Sequence, residues 1–119
     1  MKKIEIEGRA QEFTIKIILF CKKLPRTQEL QIISNQLIRS ASSVGANIVE
    51  GRGSSSRREF INFMNIARKS AFETTYWLEI LSKLSLPKLL LEEVDLLLTE
   101  TDEIRRILGS IIIKSKKNL

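Results

Sequence analysis

The chain has 119 residues, of which 43% are hydrophobic and 29% charged, and its formal net charge is +6. This composition is typical of one soluble globular domain and argues against a disordered chain or a membrane protein. Because the chain has no histidine and a single cysteine, it lacks the commonest neutral-pH acid–base group, and a zinc site is not expected. A lone cysteine also fits a reducing compartment. We therefore expect a cytoplasmic single domain over residues 1–119, with no membrane contact, catalytic residues, cofactor or metal.

Two helices are predicted in the first half of the chain. The first runs from about Ile6 to Lys23 and stops before Pro25, which cannot continue a helix. The second begins after Thr27, a suitable N-cap, and is predicted to end with Gly51 just beyond its C-terminus. Apolar residues recur every three or four positions along both helices, at Ile6, Ala10, Phe13, Ile17, Phe20 and Leu24 and at Leu30, Ile33, Leu37, Ala41, Val44 and Ile48.

Two further helices are predicted in the second half. Ser56 and Glu59 fit a capping box that starts the third helix, which is expected to end near Leu84. Pro87 suits the first turn of the fourth helix, and residues 114–119 are expected to form a frayed basic tail. Four amphipathic helices joined by short turns predict an all-α, antiparallel, up-down-up-down four-helix bundle.

The third helix carries more apolar surface than one core-facing stripe requires. One interpretation is that long side chains wrap around a compact core, because single exposed apolar residues are normal. The other is contact with a second subunit, because aromatic residues are favoured at such contacts and a large exposed apolar patch promotes aggregation. We favour the second interpretation. It predicts a homo-oligomer whose interface contains Ile61, Phe72, Tyr76, Trp77 and Ile80.

The second helix contains a run of small residues from Ser40 to Ala46. Gly45 within this run lowers the stability of the helix by about 1 kcal/mol relative to alanine. Close packing against another helix would offset this loss; the alternative explanation for the small residues is a ligand groove. Glu50, in the last turn, opposes the helix dipole. We expect the Glu50 carboxylate to form an ion pair with Arg39, Arg52 or Arg57. The alternative is that this carboxylate has a functional role.

Charge is unevenly distributed along the chain. Residues 92–103 hold six acids and no base, whereas residues 105–119 hold five bases and no acid. Residues 39–69 hold six bases against two acids. These bases either form a solvated basic surface or bind a polyanion without sequence specificity, in which case binding would weaken with salt through counterion release. The candidate nucleic-acid-binding residues are Arg39, Arg52, Arg57, Arg58, Arg68 and Lys69.

Several motifs resemble those of the 23S rRNA intervening-sequence proteins, which are small bacterial proteins. The resemblance covers about residues 9–113, and Ala46-Asn47-Ile48-Val49-Glu50-Gly51 is its most specific element. Lys69 departs from the family pattern, which usually has glycine there. The other matching segments are Lys23-Leu24-Pro25, Asn35-Gln36-Leu37-Ile38-Arg39-Ser40-Ala41-Ser42-Ser43-Val44, Glu59-Phe60 and Ile66-Ala67-Arg68-Lys69-Ser70-Ala71-Phe72-Glu73.

The resemblance implies an antiparallel four-helix bundle that assembles as a ring-like homopentamer. It also implies a relation to the accessory protein of diversity-generating retroelements, a basic pentamer that binds a reverse transcriptase and nucleic acid. We therefore expect a non-enzymatic, oligomeric accessory protein that associates with RNA or DNA, RNA being favoured. The alternative is a structural oligomeric scaffold that binds a protein partner without nucleic acid, through the acidic start of the fourth helix.

Overall fold

The computed structural model describes residues 4–119, and within that range it contains four helices and no strand. The bundle measures 48 Å along its axis and 20 by 19 Å across, which confirms the predicted all-α four-helix bundle. No helix in the described range is long and apolar enough to cross a bilayer. The prediction of one domain over residues 1–119 reaches beyond the described residues and stays a prediction. The helices are α1 (Glu5–Lys22), α2 (Gln28–Arg52), α3 (Arg57–Ser82) and α4 (Lys88–Lys116).

Contacts between side chains show that neighbouring helices are antiparallel. Between α2 and α3, the Ser40 and Thr74 hydroxyls are 2.9 Å apart, as are those of Ser43 and Ser70. Residue numbers therefore rise along α2 as they fall along α3, and the other neighbouring pairs follow the same rule. Packing is most extensive between α2 and α3 and least extensive between α1 and α4.

The apolar stripes predicted from the sequence form the core. Every predicted stripe position of α1 is buried, and along α2 only Ile33 is left half-buried, packed against the core. Burial of such side chains is the main favourable contribution to folding, at about 25 cal/mol per Å² of apolar surface. The largest fully buried side chains are Phe13, Ile17, Phe20, Leu37, Ile48, Met64, Leu78, Leu81, Ile104 and Leu108.

The N-terminal caps of α2 and α3 are confirmed. The Thr27 hydroxyl accepts a hydrogen bond from the Leu30 backbone N–H at 3.2 Å, and the Ser56 hydroxyl accepts one from the Glu59 backbone N–H at 3.1 Å. Each cap satisfies one of the backbone donors that the first helical turn leaves without a partner. Pro87 is the N-cap of α4 rather than a residue of its first turn.

The prediction that α2 stops before Gly51 is wrong. The helix continues through Gly51 to Arg52, its C-cap is Gly53, and no glycine in the described range has a positive φ. A β-carbon added to Gly51 would lie 2.5 Å from Met64 Cε and 3.1 Å from Phe63 Cβ. The glycine therefore fits the close approach of α3, where a side chain would force Met64 and Phe63 to shift, and it does not serve to reverse the chain.

The small residues of α2 serve close packing, as predicted. A β-carbon added to Gly45 would lie 3.6 Å from the Ala10 β-carbon, so α1 passes directly over this position. On the side facing α3, the Ser40 side chain is fully buried and its hydroxyl accepts a hydrogen bond from Thr74. Small side chains on both sides thus allow α1 and α3 to lie close to α2.

The predicted frayed tail is also corrected. Helix α4 continues to Lys116, so the first half of the supposed tail is helical. Ile112 and Ser115 are 6% and 7% exposed. Because one side of the last turns is buried against the bundle, the helix does not end where its basic residues begin.

Candidate nucleic-acid interface

One end of the bundle gathers basic residues from two distant parts of the sequence. The Arg105 guanidinium lies 4.9 Å from the centre of the Phe72 ring, and a β-carbon on Gly109 would be 3.7 Å from Arg68 Nε. These contacts fix the register of the antiparallel α3 and α4, so the last turns of α4 lie beside the first turns of α3. We call this the basic end; its exposed residues are Arg57, Arg58, Lys114, Lys116 and Lys117.

The first turn of α3 presents its arginines to solvent. The turn from Gly53 to Ser56 brings the chain out of α2, and the Ser56 cap starts α3 directly before Arg57 and Arg58. Cations at a helix N-terminus oppose the helix dipole by about 0.3–1 kcal/mol each. These arginines therefore do not stabilise the end of the helix on which they lie, and their guanidinium groups are exposed to an external anion.

Arg39 and Arg52, also predicted to bind nucleic acid, are engaged within the chain. Arg52 Nε donates to Glu7 Oε1 at 2.6 Å, which ties the end of α2 to the start of α1. Arg39 forms an ion pair with Glu73 and donates a hydrogen bond to Gln36. Both charges are therefore partly neutralised by a neighbouring carboxylate, whereas among residues 4–119 no carboxylate lies within 4 Å of Arg57 or Arg58.

The prediction that Glu50 has a cationic partner is wrong. Glu50 is exposed, and among residues 4–119 no lysine or arginine nitrogen lies within 4 Å of its carboxylate. Of its predicted partners, Arg39 pairs with Glu73 and Arg52 with Glu7. The carboxylate therefore stands in solvent at the C-terminal end of α2.

Lys69 and Arg68 lie further along α3. Lys69 is exposed, and in the described part of the chain no carboxylate lies within 4 Å of it. It follows Arg58 by eleven residues, which is about three helical turns or 16 Å, so both lie on the same side of α3. Arg68 is half-buried, with its guanidinium 5.2 Å from the centre of the Phe72 ring in a cation–π contact.

The outward side of α3 keeps most of the predicted interface residues at its surface. Phe72 is 47% and Tyr76 55% exposed, whereas Trp77 and Ile80 are half-buried. The Tyr76 and Trp77 rings meet edge to face with centres 5.0 Å apart, and Trp77 Nε1 donates to Glu73 at 3.1 Å. We call Phe72, Tyr76, Trp77 and Ile80 the α3 outer face.

Ile61 does not belong to this face, and its assignment there is corrected. It is 6% exposed and lies in the core. Because α3 packs extensively against both α2 and α4, its buried stripe is wider than the single row predicted from the sequence.

Sequence analysis did not place the lysines of α4 in the candidate site. Lys114, Lys116 and Lys117 belong to the predicted frayed basic tail, and the run of bases after residue 104 is the sequence signal that marks them. Among the described residues, no cluster of three or more acidic or cysteine side chains has the geometry of a metal site.

Comparison with known proteins places this bundle among its relatives. The sequence profile described as "23S rRNA-intervening sequence protein" matches residues 2–110. The chain belongs to this family. Its structure is similar to the crystal structure of a protein with unknown function from the S23 ribosomal protein family of Bacteroides thetaiotaomicron VPI-5482, with a TM-score of 0.81 and 37% sequence identity. That match covers 90% of this chain and 97% of the Bacteroides chain.

Membership of the 23S rRNA-intervening sequence family confirms the resemblance that the motifs indicated. No curated protein matches the chain. The relation to the accessory protein of diversity-generating retroelements stays a prediction, because neither the family description nor the Bacteroides relative names such a protein.

Proposed function

We propose that this intervening-sequence protein is a non-enzymatic, oligomeric accessory protein of the cytoplasm that associates with nucleic acid through its basic end. The observation that carries the proposal is the α3–α4 register, which brings the exposed Arg57 and Arg58 to the same end of the bundle as the exposed Lys116 and Lys117. Clustered lysines and arginines supply most of the affinity of non-specific nucleic-acid binding, because they displace counterions from phosphates. The family description supports RNA as the first ligand to test.

The basic end suits a phosphate backbone better than it suits base recognition. Its side chains are long, exposed and cationic, and α3 carries a further exposed cation, Lys69, about 16 Å along the same side from Arg58. Such contacts position a protein on a nucleic acid without reading its sequence. We therefore expect binding that is sensitive to salt and tolerant of sequence.

Self-association is the second part of the proposal, and the α3 outer face supports it. Half-exposed aromatic rings on one helix are typical of a subunit interface, and a ring of five copies is what the family resemblance implies. Light scattering would then report several times the subunit mass of 13.7 kDa. A mass of one subunit at micromolar concentration would contradict it.

Fluorescence anisotropy with labelled single-stranded RNA, duplex RNA and duplex DNA across a salt series tests the nucleic-acid part. The logarithm of the association constant should fall with the logarithm of the salt concentration, by about 0.7 per phosphate contacted on a single strand and about 0.9 on a duplex. The double variant Arg57→Gln, Arg58→Gln should weaken binding and lower this slope by about 1 per cation removed.

A variant with the same charge change at the opposite end is the control. Arg26 and Lys88 are exposed at the end formed by the other two turns, and Arg26→Gln with Lys88→Gln should leave affinity and slope close to those of the native protein. Equal losses of affinity in the two double variants would mean that net charge, rather than the position of the cations, determines binding. The scaffold alternative would be favoured if no nucleic acid binds at low salt.

A further inference from the structure

The end of the bundle opposite the basic end contains a cavity between α1 and α2. Its volume is about 380 Å³, which is within the range of small-molecule sites in proteins. The cavity lies where α1 ends and α2 begins, beside the turn that contains Pro25. We call it the α1–α2 cavity; its lining includes Ile18, Cys21, Lys22, Arg26, Leu30 and Ile38.

Part of the lining of this cavity is apolar. Leu24 and Leu30 belong to the buried core, and Ile38 is half-buried against it. Ile18 of α1 completes this apolar surface and is 36% exposed. Covering such side chains removes apolar area from water, which favours binding of the apolar part of a ligand.

The charged side chains that line this cavity are both cations. They are Lys22 of α1 and Arg26 of the turn, and among residues 4–119 neither has a carboxylate within 4 Å. No acid in the described range lines the cavity. Glu29, the acid closest to Arg26 in the sequence, is rotated by about 200° around α2 from Gln31, which does line it. The charge at this cavity is therefore complementary to an anion.

Helix α2 adds uncharged hydrogen-bonding groups to the same cavity. The side chains of Gln31 and Asn35 line it one helical turn apart, and within the described chain neither amide has a hydrogen-bond partner. Ser34 lies between them, and a hydrogen bond links its side chain to Cys21. Side-chain amides can donate to an anionic oxygen. Apolar surface beside cations and free donors suits a ligand that has an apolar body and an anionic head.

We propose that the α1–α2 cavity binds a small amphipathic anion, namely a carboxylate that carries an apolar chain. The chain would cover Leu30 and Ile38, and the carboxylate would meet Lys22 and Arg26. This site is separate from the basic end and depends neither on nucleic-acid binding nor on self-association. It would give the protein a small-molecule ligand in addition to the function proposed above.

Protection of the single cysteine from alkylation tests this site. Cys21 lines the cavity and is the only cysteine of the chain, so its alkylation reports on this position alone. Iodoacetamide reacts with the thiolate, and burial raises the pKa of the Cys21 thiol. The reaction is therefore followed by mass spectrometry at mildly alkaline pH, with octanoate as the probe. At ten times the dissociation constant of octanoate, alkylation should be about tenfold slower, because about one site in eleven is then free.

A neutral ligand and two double variants test the role of charge. Octanamide, which has the same chain and no charge, should protect Cys21 more weakly than octanoate. Lys22→Gln with Arg26→Gln should raise the dissociation constant of octanoate about fivefold, because two exposed ion pairs are lost. Lys83→Gln with Lys88→Gln is the matched control: it removes the same charge at the same end but outside the cavity, and should keep native protection. All four side chains are exposed, so both variants should fold, which circular dichroism can verify.

Equilibrium dialysis with labelled octanoate measures binding without using the thiol, and one molecule bound per chain is expected. The proposal is overturned if octanoate neither binds in dialysis nor protects Cys21. Equal protection by octanamide would also overturn it, because the cations would then have no role. Equal losses of affinity in the two double variants would overturn the site, because the ligand would then respond to net charge rather than to this cavity.

Discussion

The α2–α3 and α1–α4 sides of this bundle are closed in different ways. Between α2 and α3, Ser40 and Ser43 meet Thr74 and Ser70 through hydroxyl contacts of 2.9 Å, and small residues let the helix backbones approach. Between α1 and α4, ion pairs cross a groove that exposes leucines. The first side buries its apolar groups within one chain, whereas the second leaves Leu19 and Leu96 more than half exposed.

This difference separates residues that stabilise the isolated chain from residues whose side chains stay in contact with solvent. Well-packed cores lose stability when a single methylene group is added or removed. An exposed groove tolerates such changes in the isolated chain. The predictions below compare the two sides, beginning with the largest expected effect.

The sharpest comparison changes the same residue type on both sides. Leu78 is fully buried and Leu96 is 71% exposed. Leu78→Ala should lower the free energy of unfolding by about 2–5 kcal/mol, because it removes buried methyl groups and leaves a cavity. Leu96→Ala should change it by less than about 0.5 kcal/mol. Urea unfolding of dilute protein measures both, and similar losses would remove the distinction between the two sides.

Gly51 tests how closely α2 and α3 approach. Gly51→Val should destabilise the chain by about 1–3 kcal/mol, because its side chain would need the space held by Met64 and Phe63. The comparison is Gly45→Ala, whose β-carbon would make an ordinary contact with Ala10. It should stabilise the chain by up to about 1 kcal/mol through helix propensity. Thermal unfolding of both variants gives the sign of each change in stability. A stabilising Gly51→Val would contradict the close approach of α2 and α3.

The buried pair of hydroxyl groups tests how much hydrogen bonding contributes to the packing of α2 against α3. Thr74 donates to Ser40 at 2.9 Å, and both side chains are fully buried. Thr74→Val should cost about 1 kcal/mol, because it removes hydrogen bonds in the interior. In a double-mutant cycle with Ser40→Ala, a coupling of about 0.5–1 kcal/mol is expected. Additive losses would mean that the two hydroxyls do not act as a pair.

The smallest expected effect is a pH dependence at the α1–α4 side. A hydrogen bond from Arg9 lowers the pKa of Glu100 below its ordinary 4.5. The stabilisation is present above pH 4.5 and is lost as the pH falls through the lower, folded-state pKa. Between about pH 5 and about pH 3, native protein should therefore lose more stability than Arg9→Met. Urea midpoints that fall in parallel for the two proteins would contradict this contribution.

The sequence predicted the fold well because helix periodicity and capping are local properties. Thr27 and Ser56 act as N-caps, and the predicted apolar stripes are buried. Gly51 was misassigned because its role depends on a side chain of another helix, Met64. Ile61 was misassigned because the width of a buried stripe depends on how many neighbours the helix has.

The candidate site was only partly predictable. Arg57, Arg58 and Lys69 stand out in the sequence and are exposed in the structure. Their proximity to Lys116 and Lys117 depends on the register of α3 and α4, which no local pattern encodes. In the same way, the pairing of Arg52 with Glu7 joins residues far apart in the sequence.

Amide hydrogen exchange followed by mass spectrometry tests most directly whether the α2–α3 side is more tightly packed than the α1–α4 side. We expect exchange to be slower in the centres of α2 and α3 than in α1 and the first half of α4. The account would be contradicted if exchange were equal in all four helices. Faster exchange in the centres of α2 and α3 than in α1 would contradict it equally.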